Sequence, residues 1–277
     1  MTRYLFGGLR GSGLLVGSVF GHSDEPFDLL FSGECLRDLT YDGEFFRFTD
    51  LHDHQIGRAR WVMGIPAIDH PRALHLPLLF PYIASGRSAI PKTTRKQFGI
   101  TAVISNLGSG GLARRRAALV HELSHFLPVH ANRALRKMAP PGSQVIYHDV
   151  DDKSRFLGSF THHLCFENHA FPGYLTEKIA DALLAGAVPL YSGDPRVCEW
   201  VEDDSFIDCS NLDAESIAKI VTRRPELIRR VDSERERLFK VSPETMTGQV
   251  LEFQGRVLRS ADTSSSIPAH RRSLSND

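Results

Sequence analysis

From residue 98 onward, short apolar runs rich in β-branched residues alternate with amphipathic helical segments. The predicted strands lie at residues 98–105, 145–147, 163–166, 187–191 and 206–207. The predicted helices lie at residues 112–126, 176–185 and 213–221, and a last helix is expected to begin at Ser242-Pro243-Glu244. Strands that alternate with helices in this way form βαβ units and pair in parallel. The sequence therefore predicts an α/β protein with a parallel sheet.

The helix predicted at residues 176–185 has clear start and stop residues. Ile179, Ala182 and Leu183 recur at helical spacing and mark its apolar face. Thr176 is a suitable N-cap, and Gly186 is the residue type that most often ends a helix. The bounds of this helix are therefore defined by the sequence itself.

The charges of the chain balance, with 33 Lys and Arg against 33 Asp and Glu among 277 residues. A balanced surface has no long-range field to collect nucleic acid or an anionic membrane. The most apolar stretch, residues 74–83, contains two prolines and is too short to span a bilayer. The four cysteines contain no C-x-x-C pair, and the N-terminus lacks the pattern of a leader. We therefore expect a soluble, cytoplasmic protein without stable membrane insertion; its oligomeric state is left open.

The densest pattern runs from residue 164 to residue 195 and reads L-C-F-E-N-H-A-F-P-G-Y-L-T-E-K-I-A-D-A-L-L-A-G-A-V-P-L-Y-S-G-D-P. It predicts a strand, a polar loop, a helix and a second strand. Glu177 and Lys178 fall in the first turn of the helix, at the sheet edge where ligands collect in α/β proteins. Backbone N–H groups at a helix start bind phosphate oxygens, and a lysine adds charge. The segment predicts a phosphate site, although a first-turn glutamate can also serve the helix dipole alone.

Motifs in this segment resemble the α-1,3-fucosyltransferases of glycosyltransferase family 10. They are F-E-N at residues 166–168, Y-x-T-E-K at 174–178, and V-P-L-Y-S-G-D-P at 188–195, where the family has I-P-I-Y-W-G-D/S-P. Residues 152–157 are similar to the family's N-K-S-x-F-L run, and residues 98–106 to its strand ending in S-N. The likeness covers residues 98 to about 208. Phe160-Thr161 replaces a family Tyr-Lys and Ser192 a tryptophan, so the reaction class is better defined than the sugar.

The resemblance implies a GT-B fold with two Rossmann-like domains, and inverting transfer of L-fucose from GDP-fucose to a hydroxyl of a glycan acceptor, without a metal. Carried over by position, Arg116 and Lys178 would hold the diphosphate, and Lys153 would belong to the same donor site. Asn168 and Tyr174 would line the donor pocket. Glu177 would face the fucose ring and stabilise positive charge in an oxocarbenium-like transition state.

The N-terminal part of the chain is less regular. Residues 1–90 are expected to form a reduced acceptor-side domain, residues 91–260 the donor-binding domain, and the Ser-rich tail 261–277 to be disordered. The glycine-rich residues 7–13 lack both the Lys-Ser/Thr of a P-loop and the full G-x-G-x-x-G spacing. They do not predict a phosphate loop.

The resemblance also implies a catalytic base in the N-terminal part. Bacterial relatives place their base in a T-G-E-N turn, and the nearest match here is Phe48-Thr49-Asp50. Asp50 would take the proton of the acceptor hydroxyl, with Glu34 and His52 as further candidates. Asp50 can equally be an ordinary turn aspartate.

Other interpretations stay open. Asp149 and Asp151 form a D-x-D after a short strand, the pattern by which GT-A glycosyltransferases hold Mn²⁺ or Mg²⁺. A donor domain beside a degraded acceptor domain would instead make a non-catalytic nucleotide-sugar-binding protein. His121 and His125 have i, i+4 spacing, but no third ligand is evident, and a solvated helix face is expected.

Overall fold

The computed structural model describes Leu9 and residues 12–18, 26–32, 37–49, 56–64, 68–80, 95–105 and 111–265. The chain groups into two compact units, Met1–Leu76 with Pro243–Asp277, and Pro77–Ser242. The last helix therefore belongs with the N-terminal strands, whereas we expected domain limits at residues 90 and 260. The tail expected to be disordered lies mostly outside the described residues. No helix within the described ranges is long and apolar enough to cross a membrane.

The described part of the first unit contains one mixed sheet. Its strands are Val16–Ser18 (β1), Phe27–Ser32 (β2), Arg37–Tyr41 (β3), Phe46–Thr49 (β4), Ile56–Gly64 (β5) and Ala73–His75 (β6). The strand order is β1-β2-β5-β4-β3, and β6 also pairs with β5. The pairs β1–β2, β2–β5 and β5–β6 are parallel, whereas β3–β4 and β4–β5 are antiparallel. Its core contains the buried residues Phe27, Leu30, Phe46, Phe48, Ala59 and Val62.

The C-terminal helix, Pro243–Ser265, packs on this sheet and begins at the predicted Ser-Pro-Glu sequence. Phe253 meets Trp61 of β5 edge-on, with ring centroids 5.5 Å apart. The indole Nε1 of Trp61 donates a hydrogen bond to Ser260 Oγ at 3.1 Å. Because buried aromatic pairs of this kind contribute strongly to packing, the helix completes the core of the first unit.

The second unit contains a six-stranded sheet in which every pair is parallel. Its strands are Gln97–Ala102 (β7), Val129–Asn132 (β8), Ile146–His148 (β9), Phe160–Phe166 (β10), Val188–Ser192 (β11) and Ile207–Asp208 (β12). The helices of the described chain are Gly111–Leu123 (α1), Lys153–Gly158 (α2), Glu177–Leu184 (α3), Ala214–Arg223 (α4), Pro225–Glu234 (α5) and the C-terminal helix (α6).

The strand order of the second unit, β12-β11-β10-β7-β8-β9, is that of a Rossmann fold. Along the chain, β8 and β9 follow β7 on one side of it in the sheet. The strands β10, β11 and β12 are then added in that order on the other side of β7. The order therefore reverses between β7 and β10. Ligands of open α/β sheets bind outside the carboxyl ends of the strands at such a reversal.

The predicted elements of the second unit are all present, with ends shifted by a few residues. Gly186 ends α3 with a φ of +69°, the left-handed conformation that glycine tolerates. The strand Val129–Asn132 and the helices α2 and α5 were not predicted. The missed strand is four residues long and contains His130 and Asn132, so its apolar pattern is too short to recognise.

Candidate functional site

The candidate site lies where β10 ends and α3 begins. All seven residues of β10 are buried, because β7 and β11 flank it within the sheet and the helices α2 and α3 pack against it. Glu167 follows the last residue of this strand directly, and a loop then leads to Thr176, the N-cap of α3. The segment with the F-E-N and Y-x-T-E-K motifs therefore lies at the carboxyl edge of the sheet, beside the reversal of strand order.

Glu167 is the best-coordinated side chain of this site. Its residue is 0% exposed. Oε1 accepts the backbone N–H of Thr176 at 2.8 Å, and Oε2 accepts the Thr176 hydroxyl at 2.7 Å. Its own backbone N–H donates to the carbonyl of Ser192, at the end of β11. Glu167 thus connects the end of β10 to the end of β11 and to the start of α3 through hydrogen bonds.

Lys178 is held by the same group of side chains. Its Nζ donates to Glu167 Oε2 and to Thr176 Oγ1, both at 2.8 Å. Burial alone would lower the pKa of Lys178, but the carboxylates of Glu167 and Glu177 outweigh burial and raise that pKa above its ordinary value. The lysine is therefore a fixed cation, with 19% of its side chain exposed.

Arg116, Asn168 and Tyr174 form a second connected group. Arg116 Nη1 donates to the carbonyl of Phe166 and to Asn168 Oδ1, both at 3.0 Å. Asn168 Nδ2 lies 3.5 Å from the hydroxyl of Tyr174. Burial lowers the pKa of the Arg116 guanidinium, and the Glu167 carboxylate opposes that shift. Arg116 and Tyr174 are 3% and 1% exposed, so both residues hold Asn168 from beneath rather than face solvent.

Glu177 is the first residue of α3 and is partly exposed. Among the residues that the structure describes, its carboxylate has no hydrogen-bond partner. It acts on Lys178 through charge alone. Asn168, Glu177 and Lys178 are thus the predicted donor-site residues that solvent can reach at this edge.

Lys153 stands apart from the other predicted donor residues. It opens α2, where Asp152 caps the helix by accepting the N–H of Arg155. The Nζ of Lys153 lies 2.5 Å from Asp181 Oδ2 on α3, and the Asp181 side chain is 5% exposed. This ion pair links α2 to α3, and Asp181 lies about one helical turn after Glu177.

The other residues predicted from the sequence are the candidate catalytic bases and the two aspartates of the D-x-D pattern. Asp50, Glu34 and His52 lie outside the described residues. Asp149 forms a two-pronged ion pair with Arg133, at 2.5 Å for each oxygen, so both carboxylate oxygens are occupied. Asp151 is exposed. In the described ranges no three His, Cys, Asp or Glu side chains are grouped closely enough to hold a metal ion.

The prediction of a solvated helix face was wrong for His121. This residue is 3% exposed, and its Nδ1 lies 2.8 Å from Ser143 Oγ. The segment after Met138 folds back over the end of α1, where Ser124 Oγ also accepts the N–H of Gln144. The helical pattern of α1 could not reveal this cover, because it comes from residues outside the helix.

Sequence reasoning recognised the F-E-N motif but gave Glu167 no role. A glutamate directly after a wholly buried strand was the available indication, because a carboxylate at such a position needs partners. The partners of this carboxylate are Thr176 and Lys178, which follow on the same edge of the sheet. The motifs therefore included both members of the ion pair, but they did not indicate whether Glu167 or Glu177 pairs with Lys178.

Comparison with known proteins places this site in a family. Residues 93–232 match the C-terminal domain of glycosyltransferase family 10 (fucosyltransferase). The chain is 39% identical over 101 residues to α-(1,3)-fucosyltransferase FucT of Helicobacter pylori, which covers 35% of this chain and 20% of that protein. It is 35% identical over 89 residues to GDP-fucose protein O-fucosyltransferase 3 of Bos taurus, covering 31% and 19%. The matched segments thus span about a fifth of the length of these relatives.

A solved structure shows the fold. The crystal structure of an α1,3-fucosyltransferase with GDP-fucose matches with a TM-score of 0.61 and 17% identity, covering 88% of this chain and 90% of that one. The expected GT-B-like α/β fold is thereby confirmed. Because the family model matches 140 residues, half of the chain, the protein belongs to glycosyltransferase family 10.

Proposed function

We propose that this protein is an inverting glycosyltransferase that transfers L-fucose from GDP-fucose to a hydroxyl group of a glycan acceptor. The observation that carries the proposal is the position of Lys178. This fixed cation lies in the first turn of α3, at the carboxyl edge of a Rossmann sheet. Helix starts and lysines in this position bind phosphate oxygens. A nucleoside diphosphate sugar is a ligand with the required charge.

The names of the relatives support fucose as the sugar. One relative is an α-(1,3)-fucosyltransferase, and another is a GDP-fucose protein O-fucosyltransferase. Both names specify fucosyl transfer, the first with an α-(1,3) linkage and the second with a protein acceptor. Because the family model matches residues 93–232, which include the candidate donor site, a common donor explains the likeness better than a common acceptor does.

Each accessible side chain has a task in this proposal. Departure of the diphosphate creates negative charge, which the ammonium of Lys178 offsets. Asn168, which Arg116 and Tyr174 hold in place, binds an oxygen of the donor. The Glu177 carboxylate stabilises the positive charge that develops on the sugar ring. Asp50 is the proposed base that takes the acceptor proton, and Glu34 and His52 are the alternatives.

We propose that no metal ion takes part in donor binding. In the second unit, Lys178 can contact the diphosphate directly, and Arg116 adds positive charge from its buried position behind Asn168. The D-x-D alternative with Asp149 and Asp151 receives no support from the geometry, because Asp149 is paired with Arg133. It also requires a GT-A fold, whereas this chain has a GT-B-like fold.

A thermal-shift screen of nucleotide sugars tests the proposal. We expect GDP and GDP-fucose to raise the melting temperature, since a ligand of the folded state stabilises it by mass action. UDP-sugars should give smaller shifts, and EDTA should leave the GDP shift unchanged. If EDTA and Asp149→Ala both abolish it, the metal-dependent function replaces the proposed one. If GDP-fucose binds but is neither hydrolysed nor transferred to any acceptor in a broad panel, the protein is a nucleotide-sugar-binding protein instead.

A further inference from the structure

The ammonium group of Lys178 is partly committed before any ligand arrives. An ammonium has three N–H donors and no acceptor. Two of them are used by Glu167 Oε2 and Thr176 Oγ1. No other side chain in the described part of the chain accepts from Lys178. One N–H is therefore left for a ligand.

The position of the Glu167 carboxylate determines the direction in which the remaining N–H of Lys178 points. The carboxylate receives Lys178 directly, and it also receives the hydroxyl of Thr176, whose oxygen in turn accepts from Lys178. The three groups form a closed triangle, with the carboxylate fully buried. A buried carboxylate in such a triangle cannot reorient without losing partners, which is costly at low dielectric. The ammonium is thus fixed in position as well as in charge.

We propose that Glu167 is a positioning residue of the donor site, which fixes Lys178 so that one N–H remains for an oxygen of the donor diphosphate. This inference rests on the proposed function, since it assigns the ligand of that N–H. Glu167 itself is not proposed to touch the donor, because it is 0% exposed.

The negative charge of Glu167 distinguishes positioning of Lys178 from simple attraction of an anionic ligand. Glu167 removes one of the positive charges that Lys178 and Arg116 bring to the site, so it weakens the general attraction for an anion. Its contribution to the site must therefore be geometric, together with keeping Lys178 protonated. Within the described ranges, the charged and titratable groups that interact electrostatically with Lys178 are Glu167, Glu177, Arg116, His163 and Cys165.

The pH dependence of GDP binding distinguishes this role from a structural one. Without the Glu167 charge, burial and Arg116 remain as influences that lower the pKa of Lys178, opposed by Glu177. In Glu167→Gln, Lys178 should therefore lose its proton at lower pH than in the wild type. The ionisation of GDP affects both proteins equally. The ratio of the Kd of Glu167→Gln to the Kd of the wild type therefore reports the effect of the protein alone. We expect this ratio to rise by roughly tenfold between pH 7.5 and pH 9.5.

The experiment has two readouts on the full chain. Competitive acetylation followed by mass spectrometry gives the pH at which Lys178 becomes reactive, and calorimetry gives the Kd for GDP. Asp232→Asn is the matched control, because Asp232 pairs with Lys96 and Arg235 at the C-terminal end of α3. It should lower the melting temperature without changing either pH profile. Glu167→Asp keeps the charge but shortens the arm, so it should weaken GDP binding at every pH and move the midpoint of Lys178 reactivity less than Glu167→Gln does.

The outcomes are distinguishable. An unchanged reactivity midpoint of Lys178 in Glu167→Gln overturns the inference. A shifted midpoint with a Kd ratio that does not change with pH also overturns it, because Glu167 would then be only structural. If the wild type binds neither GDP nor GDP-fucose, the proposed function fails and this inference fails with it. If Glu167→Gln does not fold, normal GDP affinity in Glu167→Asp is the overturning result.

Discussion

The fully buried carboxylate of Glu167 lies 2.8 Å from the ammonium of Lys178, eleven residues further along the chain. This ion pair joins the end of the central strand β10 to the first turn of α3. Both charges are therefore in place before a ligand binds, and the backbone N–H of Thr176 is fixed by the same carboxylate. Such preorganisation is what an enzyme needs to stabilise a departing anion without rearrangement.

Glu177→Gln should separate donor binding from sugar chemistry. The Glu177 carboxylate has no hydrogen-bond partner in the described chain and is proposed to face the fucose ring. The variant should therefore bind GDP nearly as the wild type does, while transfer and slow hydrolysis of GDP-fucose fall by on the order of 10²–10³. Glu215→Gln, in the first turn of α4, is the control and should keep both rates. Full hydrolysis by Glu177→Gln would contradict the assigned role.

Asp50→Asn should separate transfer from hydrolysis. A base for the acceptor hydroxyl is needed for transfer, whereas water can attack the donor slowly without it. We expect transfer to fall by a factor on the order of 10²–10⁴ and donor hydrolysis to survive in part. Parallel assays of Glu34→Gln and His52→Ala identify the base if Asp50→Asn transfers normally.

The buried histidines of β10 should make the protein sensitive to acid. Burial lowers the pKa of His162 to about 4. Burial, together with the charge of Lys153, lowers the pKa of His163 to about 3. Both residues are neutral in the folded protein, whereas unfolding lets them bind a proton below their ordinary pKa. The free energy of unfolding should therefore fall as the pH decreases below about 6.5, by up to about 1.4 kcal/mol per pH unit for each residue.

His163→Gln tests this source of acid sensitivity. Urea unfolding at several pH values between 7 and 4 should show a shallower pH dependence in the variant, whatever its stability at pH 7. His125→Gln is the control, since His125 is exposed and should keep the slope of the wild type. An unchanged slope in His163→Gln would show that other groups cause the acid sensitivity.

The sheet of the second unit could be predicted because its strands are apolar and its helices have distinct ends. Gly186 ends α3 in the left-handed conformation that its residue type favours. Thr176 takes the predicted N-cap position, but its hydroxyl bonds Glu167 and Lys178 and makes no capping hydrogen bond. The short strand Val129–Asn132 escaped prediction, because four residues with two polar side chains form no periodic pattern. Only its neighbours β7 and β9 make it a strand.

The candidate site could be predicted in its members but not in their contacts. Lys178, Asn168 and Arg116 follow from the motifs, whereas the partners of each side chain depend on tertiary packing. Tyr174 illustrates the difference, because it was expected to line the donor pocket but is 1% exposed and supports Asn168. Lys153 likewise pairs with Asp181, an interaction that no motif spacing reveals.

The affinity for GDP-fucose in Lys178→Ala and Arg116→Ala tests whether the donor binds at the start of α3. Calorimetry on the wild type should show binding that GDP displaces. Each variant should lose about 1–3 kcal/mol of binding free energy, the range for charge-assisted hydrogen bonds and for the loss of their support. Lys219→Ala, on the exposed face of α4, should bind as the wild type does. Wild-type affinity in both Lys178→Ala and Arg116→Ala would show that the donor binds elsewhere on the protein.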